Sequence, residues 1–516
     1  MFAHSLKKTY VLAIPPIAWC SMAGCSAMDS ASGAGPASGG GEGVAIDADS
    51  GIAQDTPPAG CPGPGPDAGS TGDAGAPVGT LIASGNSLST RGVTSDGYEI
   101  YSDDYALQLY AVPIAGGTPQ NIAALGSKFW VTVVGQVVFA WSNVTDANVG
   151  ALTIWSSAHG AQALSPASFG ILGASSSDGS HVLYVGNVDS QGQTGDVYVA
   201  GADGSGVTSL LQGEQLTGCF PQLGFAGSYA VSSHCDVARG SGPSATISSF
   251  QSPSWSRADL VTSAQNVWSA DTAGSIVLVS TGGGIMVVPM GGGSSTLLDP
   301  SGFLGQLIAG GQTAVYSTVA GDLRSSSTTA PSPTTLASPP FGGFSGVSPS
   351  QSTVLFYRNQ ASSGGTDLYL SSTATPGTPT TVVTGTDGAI NGDTFTADSA
   401  YALYSTSNDV CTGAATFEAF PVTGTGAAVQ LGTDVWGDWS STGEKVIFND
   451  NYVATGGLRY GRADIEFVDL SAGTTPTLVV SQADAVVDMT PARDQIVYSW
   501  SVQPGTMAGI YVTPVP

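Results

Sequence analysis

The sequence predicts an all-β fold, a β-propeller of four-stranded blades, and three observations carry that prediction. A pattern recurs along the chain at an average spacing of about 44 residues, the range of propeller blades. Its apolar runs are short and rich in Val, Ile, Tyr and Phe, with no sustained helical periodicity. Glycine and proline, 72 and 30 of 516 residues, punctuate those runs as turns would. With 41% hydrophobic and only 10% charged residues, the chain is too apolar for wholesale disorder and too poor in Glu, Lys and Leu for a coiled coil. No apolar run reaches the ~18 residues that a membrane-spanning helix needs.

Residues 1–24 read as an export signal. Lys7 and Lys8 form a basic start, Tyr10 to Trp19 a short apolar stretch broken by Pro15 and Pro16, and Ser21-Met22-Ala23-Gly24-Cys25 follows. That last run resembles the lipobox of bacterial lipoproteins, which implies that Cys25 is lipidated and becomes the new N-terminus. Ser26 stands where an Asp would retain such a protein at the inner membrane. The expected location is therefore the cell envelope, as an outer-membrane lipoprotein on its periplasmic or surface face. From Ser26 to Val78 there is no aromatic residue, no Lys and no Arg. Such a chain buries too little apolar surface to offset its ordering entropy, so residues 25–78 are predicted to be a disordered tether.

The repeats occupy residues 79–516. The clearest copy runs Ser177-Asp178-Gly179-Ser180-His181-Val182-Leu183-Tyr184, then a loop, then Asp196-Val197-Tyr198-Val199. Aligned copies put Tyr101, Phe139, Tyr184, Val231, Leu278, Tyr316, Phe356, Tyr404, Phe448 and Tyr498 at one position. Each unit has room for four strands, a to d, with the aligned residue on b and the Asp-Leu-Tyr type of run on c. These units resemble the WD40-like repeats of the TolB-type propeller, in which Asp-Gly precedes a Val-Leu-Tyr strand and Asp-Leu-Tyr opens the next. The mixed N-terminal domain of TolB is missing, so TolB's partners do not carry over. Ten units exceed the usual 4–8 blades, which leaves a wide ring, irregular units or two smaller rings; one domain is favoured. The last unit lacks a d strand, and Thr80-Leu81-Ile82-Ala83 resembles other d strands, so the N-terminal strand is expected to complete the last blade and close the ring.

Export permits disulfides. Cys219 precedes the b strand of the fourth unit and Cys235 follows it, so the two are expected to face each other and pair. Cys61 and Cys411 have no assigned partner. Catalytic patterns are absent: there is no His-Glu-x-x-His, no Walker loop and no nucleophile elbow, and no catalytic residue, metal ligand or cofactor is assigned. A net charge of −26 argues against nucleic acid.

The b–c loops vary most in length, which marks the binding side of a repeat protein. Candidates at the ends of b strands are Arg358, Asn359, Asn408, Asp409, Asn449, Asp450 and Asn451. The longest loop adds Tyr452, Arg459, Tyr460 and Arg462. For each of the Asn and Asp positions, plain turn formation is the competing reading. The function expected is a lipid-anchored, non-enzymatic binding or scaffold protein, monomeric, with an unidentified protein or saccharide ligand. The alternative is a propeller-fold glycoside hydrolase or polysaccharide lyase, which needs acids, His or Arg clustered at the axis.

Overall fold

The computed structural model describes residues 76–516 apart from 217–220, 236–244, 339–342, 360–365, 387–393, 408–411, 413, 438, 454–460, 485–486 and 502–506. Cys25 and nearly all of the expected tether lie outside the described residues. Regular structure in the described residues is antiparallel strand, apart from a 3-10 turn at Ala309–Gly311.

The basic unit is a meander of four strands hydrogen-bonded in chain order, as in Leu88–Val93, Tyr98–Asp103, Gln108–Pro113 and Gln120–Ala124. Residues of the second strand are almost wholly buried in unit after unit: Val137–Ser142, His181–Gly186 and Gln495–Trp500 each bury five or six of six. A strand flanked by partners on both edges and packed on both faces must be apolar throughout, which is why these runs do not alternate. Every one of the ten aligned residues, Tyr101 to Tyr498, lies in such a strand. Four of them stack on an aromatic residue directly opposite in the third strand: Tyr101 on Tyr110, Tyr184 on Tyr198, Phe356 on Tyr369 and Tyr498 on Tyr511, at centroid distances of 5.4, 5.4, 5.6 and 5.7 Å. Such cross-strand pairs fix register.

Two of the sheets have seven strands, because a d strand runs unbroken into the next a strand. Gly160–Ser175 pairs with Val149–Ser156 through its first half and with His181–Gly186 through its second. Pro166, which has no N–H to give a ladder, falls at a register shift between Ser165 and Ser168. Ser256–Ala270 repeats the arrangement.

The chain ends meet. Thr80–Ser84 pairs antiparallel with Gly509–Pro514, Thr80 opposite Val512 and Ser84 opposite Gly509. The buried Tyr498 hydroxyl accepts from the Val78 N–H at 2.8 Å and donates to the Val78 carbonyl at 2.5 Å. One apolar cluster joins Ile82, Leu88, Tyr101 and Val112 to Val497, Ile510 and Val512. The first strand of the first sheet, Leu88–Val93, neighbours both Val487–Met489 of the last sheet and Trp130–Val134 of the next.

The disulfide expected between Cys219 and Cys235 is not borne out. No disulfide is present among the described residues, and Cys219 lies outside them. Cys235 ends the strand Tyr229–Cys235 opposite Ala245, on the side away from the preceding strand. Pairing with that preceding strand, Leu223–Ala226, reaches Leu223 opposite Ser232, and the Ser233 N–H continues it by donating to the Gln222 carbonyl at 3.0 Å. Cys61 and Cys411 also lie outside the described residues.

Candidate functional site

Because strands alternate in direction, b–c and d–a loops share one face. On it, the candidate polar residues are placed chiefly by a device that recurs from unit to unit. In the third unit the Asp196 carboxylate accepts from Asn187 Nδ2 (3.0 Å), Tyr198 Oη (3.0 Å) and the Gly213 N–H (2.8 Å). Asp367 likewise receives Arg358 Nε (3.2 Å) and Nη2, Tyr369 Oη (3.1 Å) and the Gly385 N–H (2.9 Å). Asp464 receives Asn451 Nδ2 (3.0 Å), Ser481 Oγ (3.1 Å) and the Gln482 N–H (2.9 Å). In each case the amide donor sits at a d-strand bulge with φ of 66°, 64° or 53°. Burial pushes the Asp196 carboxyl up, yet Asn187, Gly213 and Tyr198 outweigh it and hold the group below the usual carboxylate range.

Asn143, Asn187 and Asn451, at b-strand exits, have φ of 53°, 52° and 54°, the left-handed turn conformation that Asn tolerates best among non-glycine residues. Asn449 is buried, with Nδ2 3.5 Å from the Trp436 carbonyl, and Asp450 accepts from the Asp434 N–H at 3.0 Å. Tyr452 stacks on Trp436, centroids 4.9 Å apart and planes 9° from parallel. Arg462 stands opposite Asp484 in the c–d ladder. Burial pushes the Asp484 carboxyl up despite donors from Ser499 Oγ (2.7 Å), Ser501 Oγ (2.9 Å) and the nearby Arg462 charge. Asn359 is a strand residue opposite Thr366. Asn408, Asp409, Arg459 and Tyr460 lie outside the described residues.

The same face carries exposed apolar side chains that the sequence reading did not single out. Tyr105 is 91% exposed, Val319 80%, Val453 58% and Met507 38%, each in or beside a b–c loop. Tyr105, Val453 and Met507 belong to the first, ninth and last units, which are neighbours through the meeting of the chain ends.

A further network was not legible, because its members come from four strands. His234 Nδ1 is 3.3 Å from Glu214 Oε2, and His234 Nε2 is 3.2 Å from Ser248 Oγ. This is the order of an acid–imidazole–hydroxyl relay. Two facts decide against a nucleophile. Ser248 is completely buried, and its hydroxyl donates to Asp259 Oδ1 at 2.7 Å. Arg257 completes the set, with Nε 2.6 Å from Asp259 and Nη2 3.3 Å from His234 Nε2. The network binds strands to one another.

The first strands of the sheets hold almost no charge. Leu88–Val93, Trp130–Val134, Leu223–Ala226, Gly302–Ile308, Gly343–Val347, Ser440–Thr442 and Val487–Met489 contain Arg91 and Asp488 as their charged residues. Arg91 is buried and held by Ser102 Oγ (2.9 and 2.7 Å) and Asp104 (3.0 Å). Behind it lies Glu99, fully buried. Burial raises its carboxyl well above the usual range, the Asp488 charge raises it further, and the Arg91 N–H offsets part of this. Among the described residues no group of three or more His, Cys, Asp or Glu is placed to hold a metal.

Fold and site together define an all-β protein of repeated antiparallel sheets with its length variation on one loop face. No family model matches the chain, and no curated protein matches it. Solved structures resemble it at low identity. A eukaryotic initiation factor is 12% identical with a TM-score of 0.44, over 68% of this chain and 88% of that one. The tricorn protease is 11% identical with a TM-score of 0.25, over 83% and 52%. TolB from Acinetobacter baumannii is 15% identical with a TM-score of 0.25, over 48% and 63%. The chain thus spans about half the tricorn protease and under two thirds of that TolB. Among the described residues no helix is long and apolar enough to cross a membrane.

Proposed function

We propose that this chain is a ten-bladed β-propeller closed by its N-terminal strand, tethered in the cell envelope through a lipid on Cys25, and that it works as a non-enzymatic binding or scaffold protein. The observation that carries the non-enzymatic reading is the charge-poor set of first strands. A polysaccharide-cleaving propeller brings acids, His or Arg together at its axis. Here those strands hold Asp488 and an Arg91 bound to Ser102 and Asp104, and the acid beside them, Glu99, is fully buried, out of reach of a substrate.

The loop face is the binding face in this reading, and its partner is a cationic protein. Five described cations are paired with acids: Arg91 with Asp104, Lys128 with Asp146, Arg257 with Asp259, Arg324 with Asp299 and Asp322, and Arg358 with Asp367. With 38 acidic residues against 12 basic ones, the surface that remains is negative. Exposed Tyr105, Val453 and Met507 supply apolar anchors within it.

The test is photocrosslinking in cells from position 105, with position 207 in a c–d turn of the opposite face as comparison. Adducts from 105 that weaken at high salt, with none from 207, are the expected result. Equal adducts from both positions, or none from 105, would overturn the loop-face assignment.

A further inference from the structure

The network around His234 crosses from one sheet to another. Glu214 lies on Thr208–Gln215, the outermost strand of the first seven-stranded sheet. His234, Ser248 and Asp259 lie on Tyr229–Cys235, Ala245–Gln251 and Ser256–Ala270 of the second. Glu214 and His234 each precede the last residue of their strand, at the end that meets the loop face. One imidazole therefore joins the third unit to the fourth.

Donors and acceptors around the ring fit one protonation state. Nδ1 is 3.3 Å from Glu214 Oε2, and a carboxylate only accepts, so Nδ1 must carry a proton. Nε2 is 3.2 Å from Ser248 Oγ. The one proton of that hydroxyl goes to Asp259 Oδ1 at 2.7 Å, so Ser248 accepts from the ring and Nε2 must carry a proton too. A neutral imidazole has one N–H and cannot serve both contacts; the imidazolium serves both. Charge agrees. Arg257 and a charged His234 balance Glu214 and Asp259, whereas a neutral ring leaves one negative charge in excess. Burial pushes the Asp259 carboxyl up, but Ser248, Arg257 and the His234 charge outweigh it and hold the group below the usual carboxylate range.

Arg257 supplies the second state. Its Nη2 is 3.3 Å from His234 Nε2, where it can donate only to a ring nitrogen that has lost its proton. Its Nε meanwhile holds Asp259 at 2.6 Å. No other charge among the described residues faces the ring. The strands Leu223–Ala226, Ala245–Gln251 and Gly160–Ser175 bring none, and Asp196, on the strand beside Glu214, is spent on Asn187, Tyr198 and Gly213. Asp236 and Arg239, next along the chain, lie outside the described residues.

We infer that His234 is a proton-operated joint between the two seven-stranded sheets: charged, it ties Glu214 of one to Ser248 and Asp259 of the other; neutral, it gives up Ser248 and takes its Nε2 bond from Arg257. The bond across the sheets then loses its charge and weakens. Histidine is the side chain that changes charge between about pH 5 and 8, so acid tightens this edge of the loop face and a rise in pH loosens it.

The experiment is hydrogen exchange of the full chain, read by mass spectrometry from about pH 5 to 8, each rate divided by the intrinsic rate at that pH. Peptides covering Thr208–Gln215 and Tyr229–Cys235 are expected to lose protection about tenfold over the range, the weight of one charge-assisted hydrogen bond, while Val137–Ser142 of the second unit does not. His234→Gln keeps a hydrogen-bonding side chain that takes up no proton, and it should abolish the dependence. Glu214→Gln, whose amide can donate to a neutral ring, should reduce it with His234 intact. Constant protection in the parent, an equal loss at Val137–Ser142, the same pH dependence in His234→Gln, or a dependence that Glu214→Gln leaves whole would overturn the assignment.

Discussion

Ile82→Ala tests whether the meeting of the chain ends holds the whole fold. Ile82 is 7% exposed in the strand Thr80–Ser84 and packs in the cluster that joins residues from both ends of the domain. The substitution removes three carbons, each worth about 0.8 kcal/mol when buried, so transfer alone costs about 2.4 kcal/mol. The unfilled volume adds to this, for a total of about 2.5–4 kcal/mol. Leu81, on the outward side of the same strand and 39% exposed, is the control, and Leu81→Ala should cost well under half as much. The assay is equilibrium urea unfolding followed in parallel by far-ultraviolet circular dichroism and tryptophan fluorescence. Trp141, Trp155, Trp439 and Trp500, all under 2% exposed, lie in different parts of the chain and report on more than the closing sheet. If closure transmits the loss around the ring, both probes shift together to a lower midpoint. A midpoint within about 0.5 kcal/mol of the parent, or two probes that separate, would refute the argument that this strand closes a cooperative ring.

Other outcomes follow from the same geometry. Cys25→Ser should move the protein from the membrane fraction to soluble exported material on fractionation; unchanged membrane association would remove the lipid anchor. Gly385→Val places a β-branched residue at φ 64° with open space beside it, so it isolates the backbone cost of the bulge, about 1–2 kcal/mol by thermal denaturation; no loss would mean that the bulge is not rigid. Glu99 has its carboxyl raised in the folded state, so folding takes up a proton there, and its contribution to stability is full below the unfolded value and lost as pH rises through the folded one. Glu99→Gln should flatten that decline, and unfolding midpoints that fall equally steeply with pH in parent and variant would contradict it. Asp178 runs the other way. Donors from Ser176 and then Ser180 pull it down to about 2, so its contribution is present above the ordinary carboxylate range and disappears as pH falls toward that value; Asp178→Asn should narrow the acid-unfolding difference.

The fold was legible because its units state the same instructions repeatedly. Tyr101, Tyr184 and Tyr498 occupy one position of the repeat, and each stacks on an aromatic residue opposite it in the third strand of its sheet. Ser177-Asp178-Gly179 reads as a turn and is one: the Asp178 carboxylate caps Ser176 and Ser180, and Gly179 takes φ 69°. The pairing of Thr80–Ser84 with Gly509–Pro514 was likewise readable, since an incomplete last unit and a spare first strand complement each other. Joined d and a strands were not, because Gly160–Ser175 contains Pro166, a residue that ordinarily signals a break. The cysteine pairing is not borne out: no disulfide is present among the described residues, which include Cys235 but not Cys219.

What could not be read from spacing is which polar residue serves the fold and which is left for a partner. Asn187, Arg358 and Asn451 look alike in sequence, polar groups at the mouths of loops, and all three turn back onto an aspartate that pins a bulge in their own sheet. The His234 network has the same character, with residues of four strands spent on one another. A loop residue available for binding is one that this internal bonding does not consume. By that criterion the face belongs to Tyr105, Val319, Val453 and Met507, whose side chains reach solvent with little or no polarity to satisfy at home. Apolar anchors inside a field of excess carboxylate set the terms for a partner. It must bring its own positive charge, because the described cations opposite Asp104, Asp259, Asp299 and Asp367 are already neutralised, and its affinity should rest on the apolar anchors while its rate of encounter rests on charge. Tyr105→Ala should then slow no encounter but shorten the complex's lifetime, whereas raising salt should slow encounter and leave the lifetime nearly intact. A partner whose release rate is indifferent to Tyr105 would place the anchor elsewhere.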